Sequence, residues 1–88
     1  MDKENIITLL IGGVEFAFNV TIEHYNLFIN RMTLESKVAP AVNLCRETLV
    51  DRDQLPELNK LLDRGLALDI AGKLIEEFRP KVEIEVKK

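Results

Sequence analysis

The sequence predicts an α+β domain, and three observations carry that reading. A pair of strand-like runs flanks Gly12-Gly13 near the start, amphipathic helical patterns fill the middle, and strict apolar/charged alternation returns from Val82 to Lys87. Strands followed by helices, rather than an even alternation of the two, point to a small antiparallel sheet with helices packed on it. The expected architecture is an N-terminal β-hairpin, four short helices and a C-terminal strand. That strand completes a three-stranded antiparallel sheet with the helices on one face.

The hairpin spans Ile6 to Val20. Ile6–Ile11 and Val14–Val20 are the two arms, and a two-residue primed turn needs positive φ, which glycine supplies without steric cost. Val14, Phe16, Phe18 and Val20 share one face of the second arm, which must meet a helix because a lone hairpin is marginal in water. Thr21 is the expected N-cap of a helix over Ile22–Met32, with Ile22, Tyr25, Phe28, Ile29 and Met32 inward and Leu27 on the polar side. A connector follows from Thr33 to Lys37. Pro40 then suits the first turn of a second helix, where a missing amide hydrogen does no harm. Val38, Val42, Cys45 and Leu49 make its apolar stripe.

Asp51-Arg52-Asp53 interrupts the pattern and offers Asp53 as the cap of a third helix, Gln54–Asp63, burying Leu55, Leu58, Leu61 and Leu62. Gly65 sits where a helix ends in a left-handed residue. The fourth helix is the most two-sided stretch of the chain. Ala67, Ile70, Ala71, Leu74, Ile75 and Phe78 line one stripe, with Asp69, Lys73, Glu76 and Glu77 opposite. It stops before Pro80.

At 88 residues the chain is one domain, since folding at this size buries roughly 60–65 % of the unfolded surface and leaves no room for a second core. The 47 % hydrophobic and 31 % charged fractions are those of a globular protein rather than a disordered one. A net charge of -3 argues against a nucleic-acid binder, which needs a basic surplus to displace phosphate counterions. No apolar run approaches the ~20 residues that cross a bilayer, so no membrane role is expected. A single cysteine, Cys45, permits no internal disulfide and fits a reducing cytoplasm.

Candidate chemistry is sparse. His24 stands alone, which excludes a His-rich metal site, and serves as a general base only with a positioned partner. Cys45 on an apolar stripe behaves as a small hydrophobe. Asp51, Asp53 and Glu57 begin like a calcium loop but lack its sixth-position glycine and twelfth-position glutamate. Glu76 and Glu77 are neighbours on a helix and point about 100° apart. No catalytic, cofactor or metal residue is assigned, and the chain is read as a non-enzyme.

The order and spacing of several segments are more informative. Tyr25-Asn26-Leu27-Phe28-Ile29-Asn30-Arg31-Met32 is followed by Lys37-Val38-Ala39-Pro40-Ala41, then by Leu66–Gly72, then by Glu76–Pro80 leading into Glu83–Lys88. This succession resembles the small tail assembly chaperones of tailed bacteriophages and prophages over nearly the whole chain. The resemblance implies a non-structural factor of the bacterial host cytoplasm, absent from the mature virion. Such a factor binds the tape-measure protein, keeps it soluble and helps recruit tail-tube subunits, with no nucleic acid, membrane or cofactor involved. A homo-oligomer is compatible with it. A groove between helices would cover the client's apolar stripe, and it is expected to involve Ile22–Met32 and the connector through Pro40. Tyr25, Asn26, Asn30, Lys37 and Pro40 are the matched positions there that packing explains least. Asn30 and Lys37 have a local alternative as helix-end caps. A small prophage adaptor or regulator that binds a host factor is the alternative function.

Overall fold

The computed structural model describes every residue except 1–5, Glu35, Lys81 and Lys88. Glu35 of the expected connector and Lys88 of the Glu83–Lys88 segment therefore lie outside the described residues. Strands β1 (Ile6–Ile11) and β2 (Val14–Asn19) pair antiparallel across Gly12-Gly13, with Ile11 opposite Val14 and Ile6 opposite Asn19. Both glycines have positive φ, 58° and 83°, which is the geometry a two-residue primed turn demands. Helices α1 (Ile22–Arg31), α2 (Val38–Thr48), α3 (Leu55–Leu61) and α4 (Ala67–Phe78) follow.

Of the strand face foreseen from the sequence, Phe16, Phe18 and Val20 are buried, whereas Val14 beside the turn is 47 % exposed. Phe16, Phe18 and Val20 join Phe28 of α1, Ala41, Leu44 and Cys45 of α2, Leu49, Leu58 and Leu62, and Ala67, Ile70, Ala71 and Leu74 of α4 in a single core. Ile7, Leu9 and Ile11 of β1 pack against its margin. Thr21 caps α1 as expected: its hydroxyl accepts from the His24 amide at 3.3 Å, and His24 Nδ1 accepts from the Thr21 amide at 3.2 Å. The pair is a capping box with histidine in the place more often held by glutamate. The first half of α1 is tied to the end of α4 by Tyr25, stacked on Phe78 with ring centroids 5.6 Å apart.

Four expectations are corrected. First, the sheet among the described residues has two strands, not three. Val82, Ile84 and Val86 alternate as a strand should but are 67 %, 90 % and 84 % exposed and pair with nothing described. The free edge of β2 is occupied instead by the chain leaving α2. Leu49 bridges Phe18, the Val50 amide donates to the Ala17 carbonyl at 2.9 Å, and Gln54 Nε2 donates to the Glu15 carbonyl at 2.9 Å. Second, the four separate helices become three helical bodies. α3 runs into α4 through a wide π-type turn at Leu62–Leu66, with the kink taken up by Gly65 at φ 90°. That left-handed glycine was foreseen, whereas the continuity of helix on either side of it was not.

Third, the buried face of α2 is turned from the expected one. Pro40, Ala41, Leu44, Cys45 and Thr48 are inside, Val38 is exposed and Val42 half-buried, because α2 faces α1 on one side and α4 on the other. Thr48 is tolerated there because its hydroxyl donates to the Leu44 carbonyl at 2.7 Å. Fourth, the cap before α3 is Asp51, whose Oδ1 accepts from the Asp53 amide at 3.0 Å and starts a short 3₁₀ turn, Arg52–Gln54. Asp53 lies inside that turn.

Candidate functional site

Successive residues of an α-helix turn by about 100°, so Ile22, Asn26, Ile29 and Asn30 fall within roughly one quadrant of α1, beside the buried line through Tyr25, Phe28 and Met32. Ile22 and Ile29, expected inside, are instead 54 % and 43 % exposed, and Asn26 and Asn30 are exposed with them. The helix thus presents an uncovered strip in which two aliphatic side chains alternate with two amides. Leu27, on the other flank, is also exposed.

Further apolar side chains are exposed after α1 in the chain. Leu34 in the connector is 95 % exposed, and Val38 in the first turn of α2 is open as well. The connector is held in shape by its own hydrogen bonds: the Thr33 amide donates to the Ser36 carbonyl at 3.0 Å, and the Ser36 amide to Thr33 Oγ1 at 2.9 Å. Arg31 and Glu47, 3.7 Å apart, link the end of α1 to α2 on the surface. Exposed on both sides, that ion pair contributes little beyond orientation.

The five residues singled out from the sequence divide by position. Asn26 and Asn30 lie in the strip, and Lys37 is exposed at the N-terminal boundary of α2, where its side chain makes no capping bond. Tyr25 is half-buried at the seam, with its ring against Phe78. Pro40 is buried in the first turn of α2 and faces the core. Ile22, Ile29 and Val38 had been placed inside, yet they supply the apolar part of the surface. The sequence signal for them was present but misassigned, because a helical stripe reports amphipathicity and not how wide the covering layer is.

Two shallow grooves border the hairpin. One, about 290 Å³, lies between the β1 side of the sheet and α4 and is lined by Leu9, Leu10, Ile11, Leu66, Asp69, Ile70 and Lys73. The other, about 250 Å³, lies where the hairpin turn meets α3, around Val14, Phe16, Glu57 and Leu61. Both are mainly aliphatic.

The reactive side chains are elsewhere and already engaged. His24 is held in the cap of α1. The Cys45 thiol is buried near the Ala67 carbonyl, at 3.9 Å, and burial pushes its pKa up to about 12. A thiol so far from its thiolate form is a poor nucleophile. Among the described residues no three His, Cys, Asp or Glu side chains group in a way that could hold a metal ion, and no helix is long and apolar enough to cross a membrane.

No curated protein and no solved structure matches the chain. A family profile does, from the second residue of β1 through the segment beyond α4: residues 7–88 match the phage tail assembly chaperone family, and the chain belongs to that family.

Proposed function

We propose that this protein acts during phage tail assembly by covering an apolar helical stripe of the tape-measure protein until the tail polymerises, and that it helps bring tail-tube subunits to that complex. It would do so in the cytoplasm of the bacterial host and be left out of the finished particle. The observation that carries the reading is the uncovered strip of α1. Ile22 and Ile29 offer apolar contact at helical spacing, and Asn26 and Asn30 can hydrogen-bond across the rim. The groove expected between α1 and the connector is replaced by an open face, on which a client helix would lay its apolar stripe against aliphatic anchors with adaptable polar neighbours. Family membership supplies the setting.

Co-expression with the tape-measure protein tests it. Asn26→Ala with Asn30→Ala should lower the soluble tape-measure fraction severalfold, and Ile22→Asp with Ile29→Asp should abolish it. Both double variants should keep the parent's circular dichroism, because all four side chains are exposed. Unchanged solubilisation by both would remove α1 as the client face. Capture of a host factor in place of the tape-measure protein would support the adaptor reading.

A further inference from the structure

The hairpin has one satisfied edge and one open edge. In a two-residue hairpin the residues flanking the turn exchange hydrogen bonds, so Ile7, Leu9 and Ile11 direct their backbone groups at β2, while Ile6, Thr8 and Leu10 direct theirs away from it. On β2 the corresponding outward carbonyls, Ala17 and Glu15, are taken by Val50 and Gln54. Among the described residues nothing takes those of β1. An open strand edge is a template for another strand, and this one runs beside the groove of about 290 Å³ formed with Leu66 and Ile70 of α4. A strand added there would find hydrogen-bond partners on one side and apolar space beneath.

The described chain contains a segment of matching chemistry without a place to lie. Val82, Ile84 and Val86 stand two residues apart, as do Ile7, Leu9 and Ile11, with Glu83 and Glu85 between them. All three aliphatic side chains are at least two-thirds exposed. In its own chain this segment leaves α4 through Arg79, whose backbone is extended (φ -75°, ψ 131°). Pro80 favours that conformation in the residue before it. That extended residue ends α4 ahead of the segment.

We propose that Val82–Val86 of one copy adds as a strand to the open edge of β1 in a second copy, with Val82, Ile84 and Val86 over the groove and Glu83 and Glu85 toward solvent. Each copy carries both the segment and the edge, so the exchange is reciprocal and closes as a twofold dimer. The inference concerns the β1 edge and is independent of the client face on α1, so tape-measure solubilisation and self-association are separate readouts.

Size-exclusion chromatography with light scattering on the full chain tests it. The expected mass at high micromolar concentration is twice the 10.1 kDa of one copy. Ile84→Asp should return the protein to a single copy. Thr8→Pro should do the same, since it removes an amide that points away from β2 and so breaks no bond within the hairpin. Mixed together, the two variants should associate again, because one retains the edge and the other the segment. Hydrogen exchange should show the Thr8 and Leu10 amides protected in the parent and open in Ile84→Asp, which keeps the test intact if Thr8→Pro misfolds. A parent mass of 10.1 kDa throughout, or a dimer that survives Ile84→Asp, would overturn the proposal. Protection of Thr8 and Leu10 in a single-copy parent would overturn it too, by showing that the segment docks on its own chain.

Discussion

Cys45 shows how much one buried group can tie stability to solution conditions. The folded state holds its thiol protonated to about pH 12, against 9.0 for an unburied thiol, because no solvent reaches the sulfur. Above pH 9 the unfolded chain therefore loses a proton that the folded chain keeps. Stability is unaffected below pH 9 and falls as pH rises toward 12, with a limiting slope of roughly 1.4 kcal/mol per pH unit. Urea midpoints measured between pH 8 and 11 should show that decline, and Cys45→Ala should flatten it. An apolar position for Cys45 was readable from its helical spacing. The role of His24 was not, since a histidine can close a capping box only if Thr21 has already started the helix in the right place.

Between α3 and α4 the chain keeps its helical path at the expense of one residue's conformation. Gly65 stands at φ 90°, and nothing lies within 4 Å of where a Cβ would be. The cost of Gly65→Ala is thus conformational rather than steric, roughly 1–2 kcal/mol for a left-handed L-residue. Thermal unfolding of that variant should move down by several degrees with the cooperativity of the parent. A loss of cooperativity would mean that the kink sets the packing of α4 and not only its start. The glycine itself was plain in the sequence. That α3 and α4 meet at a kink with no loop between them was not, because local pattern marks where a helix is allowed to end but not how the chain enters the next one.

For the molecule as a whole, the elements that meet at Leu74 act as one unit. Leu74 is fully buried where α4 meets the core shared with β2 and α2. Leu74→Ala should cost about 2–5 kcal/mol through lost burial and a residual cavity. Domains of this size often have only about 5–8 kcal/mol in total, so the variant should unfold near the start of a urea titration. The sequence conveyed the hairpin, the helical middle of the chain and most of the residues that meet in this core, since each follows from a periodicity of two or of 3.6. It placed Val82–Val86 in the sheet because alternation marks a half-buried strand without naming its neighbour. The edge beside β2 went instead to Leu49 and Val50, which lack any strand-length pattern. The surface of α1 was half legible. Asn26 and Asn30 stood out as polar residues that packing did not need, whereas Ile22 and Ile29 were hidden by their agreement with the apolar stripe.

The arrangement of this core along the chain bears on how the protein is made. Phe16 and Phe18 leave the ribosome early, but the side chains of Ile70 and Leu74 that close over them are translated some fifty residues later. The nascent hairpin therefore keeps part of its oily face uncovered until α4 has been translated. A ribosome that stalled before Ala67 would hold a polypeptide prone to the same unwanted contacts that a chaperone exists to prevent.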